Sequence, residues 1–182
     1  MTKYLVMVLL LAACGAPDSR PPSPAEAQRL AHIRSMPAAA ITARVPTGAG
    51  VVVLTGRVDF ANRVGDTTMT TEGRTDPAAT GLLHWDRTEL TFQGWTRPLR
   101  RDGSELDTTL LLLASLHTAG PDDPAALRRT VTWLRSTQLN GTPVDVFQGD
   151  HLTYWVDPAG NLRRLEAHLA GNSAPAVVDV TP

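Results

Sequence analysis

The chain predicts an α+β fold, an antiparallel sheet with helices packed against it, on two patterns. Residues 41–95 and 142–180 consist of short β-branched or alternating segments separated by Gly, Pro, Asn and Asp, as in strands that pair with their sequence neighbours. Between them, residues 104–136 carry leucines at helical spacing behind Ser and Asp caps. A third pattern concerns location rather than fold: an apolar run over residues 5–10 leads through Leu11, Ala12 and Ala13 to Cys14, the only cysteine.

Lys3 supplies a minimal positive n-region, residues 5–10 an apolar h-region, and Ala12 and Ala13 the small residues before Cys14, which together read as a bacterial lipobox. The run is too short to span a bilayer. Residues 1–13 are therefore expected to be a cleaved lipoprotein signal peptide, with the Cys14 sulfur carrying a diacylglyceryl group at the new N-terminus. Each buried CH₂ of a lipid chain contributes about 0.8 kcal/mol, and two or more chains anchor stably. The membrane is then the partner of the N-terminus, and the outer face of the cell membrane is the expected location. The competing reading, a cytosolic chain with a frayed apolar N-terminus, makes the place of the lone cysteine a coincidence.

Lys and Arg number 17 against 18 Asp and Glu, for a formal net charge of -1, so no overall field argues for nucleic acid as a partner. Lys3 is the only lysine, and the arginine usage reads as coding bias. With its cysteine assigned to the anchor, the exported chain has no disulfide, and its stability rests on a core for which a hydrophobic content of 42% suffices. Residues 14–22, the lipidated cysteine and a Gly, Ala, Pro and Ser stretch, read as a flexible spacer, and residues 23–182 as a single domain.

In order along that domain, Ser23, Pro24 and Glu26 give an N-cap, a proline at the first helical position and the third-position glutamate of a capping box. The helix should run to about Ser35, where Met36-Pro37 stops it. Strands are expected over 51–60, 67–72, 82–86 and 88–94, with a turn over 62–66 and a polar loop over 73–81. Ser104 caps a helix on which Leu106, Leu110, Leu112, Leu113 and Leu116 form one stripe toward the sheet. Leu111 falls outside it, beside Asp107, Thr108 and Ser115. Asp123 and Pro124 start a further helix, with Leu127, Val131 and Leu134 on one face, ending near Ser136. Strands return over 142–148, 152–156, 161–169 and 176–180, with Asp157-Pro158-Ala159-Gly160 as a hairpin connection.

The run Pro121-Asp122-Asp123-Pro124, the segment Leu139-Asn140-Gly141-Thr142-Pro143 and the segment Tyr154-Trp155-Val156-Asp157-Pro158-Ala159-Gly160-Asn161, with Val58-Asp59-Phe60 upstream, resemble exported actinobacterial lipoproteins of the LppX and LprG type. That group is similar to the lipoprotein carriers LolA and LolB. The resemblance covers most of residues 40 to 180 and implies a curved antiparallel half-barrel with helices on its concave face. In several members an apolar cavity between sheet and helices holds acyl chains. The motifs are turn glycines, strand aromatics and a helix cap, and they carry no catalytic residue.

Catalytic candidates are sparse. His84 with Asp86, and Glu166 with His168, lie two apart on a strand face, where a carboxylate can orient an imidazole base. No G-x-S-x-G, H-E-x-x-H or phosphate-binding glycine loop accompanies them, so charge pairing on a solvated sheet surface is the expected role. No enzyme activity, cofactor or metal is expected. Trp85, Trp95, Trp133, Tyr154 and Trp155 are expected mainly in or beside the core, and Arg163 and Arg164 on opposite strand faces. Two functions stay open. One is a lipid-anchored carrier of a lipid or other apolar ligand, with Leu110, Leu111, Leu113 and Phe92 lining the site. The other is a non-catalytic module with a closed core that docks an envelope protein, and the size of the cavity separates the two.

Overall fold

The computed structural model describes residues 19–169 and 174–182. Cys14 and the whole lipobox lie outside the described residues. Among these residues eleven strands form one antiparallel sheet: β1 (Ala38–Thr47), β2 (Gly50–Asp59), β3 (Val64–Thr71), β4 (Gly81–Trp85), β5 (Glu89–Phe92), β6 (Trp95–Pro98), β7 (Thr132–Leu139), β8 (Thr142–Gln148), β9 (Leu152–Val156), β10 (Leu162–Ala167) and β11 (Ala176–Thr181). Their order is β6-β5-β4-β3-β2-β1-β11-β10-β9-β8-β7. Strands β1 to β6 make one meander and β7 to β11 another. Pairing of β1 with β11, from Ala40 opposite Thr181 to Arg44 opposite Val177, fuses the two. The sheet stays open, a curved half-barrel with β6 and β7 as its edges.

Among the described residues three α-helices accompany the sheet: α1 (Pro24–His32), α2 (Glu105–Ser115) and α3 (Pro124–Thr130). The expected capping box starts α1, with Ser23 N donating to the Glu26 carboxylate at 2.7 Å and Glu26 N to Ser23 Oγ at 3.3 Å. A 3-10 turn, Ile33–Ser35, ends it before Met36 leaves helical geometry. The segment joining the two edge strands carries α2 and α3, so it must cross the sheet, and it packs α2 against β1. Strand alternation supplies the surface beneath. Ala39, Ile41, Ala43 and Val45 of β1 and Leu54 and Val58 of β2 are buried, and the residues between them mostly face solvent. Gly65 lies opposite Trp85, and its missing side chain makes room for the indole: a Cβ there would sit 2.1 Å from Trp85 Cζ2.

Several elements differ from the sequence expectation. The helix at Pro124 ends at Thr130, and β7 begins two residues later, at Thr132. The spacing of Leu127, Val131 and Leu134 fits a helix locally, but Thr130-Val131-Thr132-Trp133 is β-branched and aromatic. It finds β8 as a partner across the Asn140-Gly141 turn, whose φ values of 50° and 80° suit a tight hairpin. A similar turn at Gln93 and Gly94, φ 48° and 82°, adds β6 beyond the expected end of the strands at Gly94.

The end of the expected spacer is docked rather than loose. Arg20 exchanges backbone hydrogen bonds with Trp133 at 3.1 and 2.7 Å, its guanidinium lies 4.2 Å from the Trp133 ring centre, and Arg128 Nε donates to the Pro22 carbonyl at 3.1 Å. A register shift between Leu162 and Arg164 breaks the alternation of β10. Arg163 and Arg164 are accordingly both half-buried, and they pair with Asp157 at 3.8 Å and Asp179 at 2.7 Å.

Candidate functional site

The interior between α2 and the sheet is filled by side chains. Leu110 and Leu113 are each 0% exposed and belong to one core cluster with Leu54, Phe60, Trp85 and Phe147. Phe92 is half-buried beside this core, opposite Leu83 of β4, at the end of β5 next to the Gln93-Gly94 turn. A small void lined by Ile33, Arg34, Met36, Phe60, Leu116, Tyr154 and Leu162 holds about 10 Å³, too little to house an acyl chain. Burial raises the Tyr154 hydroxyl above its usual pKa, the charges of Asp122 and Asp150 add to that, and Arg34 opposes it.

Leu111 stands apart from the other three expected ligand residues. With Leu99 and Leu112 it lines an open groove of about 730 Å³ beside α2. Leu112, expected on the stripe toward the sheet, is half-buried and faces this groove as well. The structure therefore brings Leu111 and Leu112 to one surface site, Leu110 and Leu113 to the core, and Phe92 to neither the groove nor its lining.

The charged wall of the groove is made by Arg34, Arg63, Arg87 and Arg101, and its lining contains no carboxylate. Topology explains the gathering. In an up-and-down meander alternate turns fall at the same end of the sheet, so the β2–β3 turn with Arg63, the β4–β5 turn with Arg87 and the β6–α2 connection with Arg101 share one rim. The chain enters β1 at that rim too, which brings Arg34 there from the end of α1.

Each turn is locally pre-ordered. Asp59 accepts from Asn62 N at 2.9 Å and Asn62 Nδ2 at 2.8 Å, and Arg63 takes a φ of 61°, unusual for a residue with a side chain. Asp86 accepts from Thr88 N at 2.6 Å and Glu89 N at 3.0 Å. These bonds hold the carboxyls of Asp59 and Asp86 below their ordinary pKa and commit them to the backbone.

Among the described residues Arg63, Arg87 and Arg101 have no hydrogen-bond or ion-pair partner. Arg34 is engaged, donating to the Ser115 carbonyl at 3.2 Å and the Leu116 carbonyl at 3.4 Å, with Asp122 at 3.6 Å. Those contacts tie the end of α1 to the C-terminal end of α2. In the same wall the His117 Nδ1 is buried and finds no partner. The site thus sets Leu111, Leu112 and Ala114 of α2, with Thr108 and Ser115 of the same helix, against a rim of four arginines.

Sequence reasoning placed Arg63 and Arg87 in turns and read arginine usage as coding bias. The usable signal was the parity of those turns, every second connection of one meander.

The paired His and carboxylate motifs do not form sites. His84 meets Asp66 across the β3–β4 pair at 2.7 Å on the exposed face, and His168 is exposed. Among the described residues no group of three or more His, Cys, Asp or Glu is placed to hold a metal ion. Trp85 is fully buried, Trp95 is 62% exposed on the edge strand, and Trp133, Tyr154 and Trp155 are half-buried. No helix among the described residues is long and apolar enough to cross a membrane.

No family model matches the chain, and no curated protein matches it. Among solved structures it is similar to MucB, at 13% sequence identity and a TM-score of 0.36 over 85% of this chain, and it spans 55% of the MucB chain. It is also similar to an outer-membrane lipoprotein-sorting protein domain from Vibrio parahaemolyticus, at 10% identity and a TM-score of 0.32, covering 87% of this chain and 90% of that one.

Proposed function

We propose that the protein is an extracytoplasmic binding protein, tethered to the outer face of the cell membrane through lipidated Cys14, that holds the apolar chain of a lipid ligand. The ligand lies in the surface groove along α2, on Leu99, Leu111 and Leu112, rather than in an interior cavity. One observation carries this reading: α2 buries Leu110 and Leu113 completely yet leaves Leu111 and Leu112 lining an open groove of about 730 Å³. That volume falls within the roughly 300 to 1,000 Å³ of small-molecule sites.

The test uses the full chain in its host membrane with a photoreactive fatty acid. Crosslinks should map to the peptide holding Leu111, and Leu111→Glu should lose them while the fold persists. Labelling that is absent from wild type, or unchanged in Leu111→Glu, sinks the groove as the site. Radiolabelled palmitate should mark the wild type and not Cys14→Ser, and equal labelling of both removes the tether.

A second reading, a docking module for an envelope protein, is favoured by the filled interior and by the exposed Leu82 and Trp95, 77% and 62% accessible. Capture of a partner protein that Trp95→Ser abolishes, with no lipid crosslink to the groove, would select it.

A further inference from the structure

We infer that the ligand held in this groove is a phosphate-bearing, single-headed amphiphile, with its headgroup on the guanidinium groups of Arg63, Arg87 and Arg101 and its chain on the α2 leucines. The inference rests on the groove being a lipid site and adds the chemistry of the headgroup.

Charge complementarity carries it. The lining holds four arginines and no carboxylate, in a chain whose formal net charge is -1. Three of the four are unpartnered among the described residues, whereas Arg20, Arg29, Arg44, Arg97 and Arg164 all pair with carboxylates. An unpaired guanidinium on a solvated surface is ordinary. Three brought to one concavity from three separate turns repel one another, and a multivalent oxyanion relieves that repulsion.

Arginine presents a planar fork that matches phosphate oxygens two at a time, and three such forks exceed what one carboxylate can accept. The turns that carry Arg63 and Arg87 are fixed beforehand by the Asp59 and Asp86 bonds, so little backbone ordering is left for binding to supply. The leucines next to these cations set the occupant apart from a free anion: Leu111 and Leu112 continue the site with apolar surface where a soluble phosphate would gain nothing.

The experiment places the full chain in phosphatidylcholine nanodiscs. It compares two diazirine-tailed probes of equal chain length, a lysophosphatidic acid and a neutral monoacylglycerol, by the yield of crosslink to the Leu111 peptide. The phosphate probe should reach half-maximal labelling at a concentration about ten-fold or more below that of the neutral one, since hydrogen bonds to charged groups are the strong ones. The triple variant Arg63→Gln, Arg87→Gln, Arg101→Gln should bring the two probes together. Equal labelling in wild type, or a preference undiminished in the triple variant, overturns the headgroup inference and leaves the groove as a lipid site. Inorganic phosphate competing as strongly as the lysophosphatidic acid also overturns it, in favour of a bare oxyanion site. If neither probe labels the Leu111 peptide, the groove reading fails and the inference fails with it.

Discussion

Arg97→Met should be among the most damaging single changes available outside the core, because it strips a buried carboxylate of its counter-ion. Asp107 sits in the first turn of α2 with its side chain 2% exposed and is gripped from β6 by both terminal nitrogens of Arg97, one of them at 2.7 Å from Oδ2. The remaining donors to the carboxylate, Arg100 N and Ser104 Oγ, are each 3.3 Å away and replace little of that grip. Breaking a buried pair from one side costs about 3 to 5 kcal/mol. The 28% exposure of the Arg97 side chain puts this pair at the lower end, about 3 kcal/mol. For a domain of this length that is a fall in Tm of about 6 to 12 °C.

Burial acts to raise the Asp107 pKa, but the hydrogen bonds from Arg97 and Arg100 N outweigh it and hold the carboxyl below its ordinary value. The folded value lies below the unfolded one, so the pair's contribution is complete above the ordinary carboxylate range, about pH 4, and is lost as pH falls through the lower folded value. In Arg97→Met burial is opposed only by the 3.3 Å bonds from Arg100 N and Ser104 Oγ, so the folded carboxyl takes up a proton more readily than it does in the wild type. The variant's deficit should therefore narrow from pH 7 to pH 4.5. Urea unfolding followed by tryptophan fluorescence at both pH values reads this directly, and Arg97→Met, Asp107→Leu together should recover to within about 1 kcal/mol of wild type. A single variant within about 1 kcal/mol at pH 7, or a deficit that does not narrow with acid, would refute the argument.

Gly65→Ala should lose about 1 to 3 kcal/mol by overpacking, since the new methyl meets the fully buried Trp85 ring, and the near-ultraviolet dichroism of that indole should change with it. Leu113→Ala should cost about 2 to 5 kcal/mol as a deletion from the filled core, whereas Leu111→Ala, on the open groove, should stay within about 1 kcal/mol in the same melts. Glu26 is lowered to about 2, first by the hydrogen bonds from Arg20, against burial, and then by those from Ser23. The stability it gives the N-terminal clasp is complete above its unfolded value near 4.5 and fades as pH falls toward about 2. Glu26→Gln should be the less stable protein at pH 6 and indistinguishable from wild type near pH 2. Hydrogen exchange at Trp133 N, which donates to Arg20 O, reports whether the clasp has opened.

What the sequence determined by itself is local in origin. Ser23 with Glu26, Ser104, and Asp123 with Pro124 start helices where they stand because a cap satisfies backbone groups within three residues of itself. Gly160, with a φ of 89°, closes the hairpin after Asp157 because that conformation belongs to the residue type. The alternation of Val58 and Phe60 with Arg57 and Asp59 marked the buried face at the end of β2 by strand periodicity.

Only the tertiary structure decided the features that need a distant partner. Thr132 to Leu139 became a strand because β8 and the Arg20 backbone were there to pair with it, although Leu134 within it continues a helical stripe from Leu127 and Val131. Asp107 looked like the polar side of a helix and is buried, because Arg97, ten residues earlier on an edge strand, neutralises it. Arg63, Arg87 and Arg101 are turn residues far apart in sequence. They meet at one rim because β1 to β6 form a single meander, whose alternate turns point the same way. Periodicity and capping act over one turn of helix or one strand, while the charge of the groove is a property of the sheet.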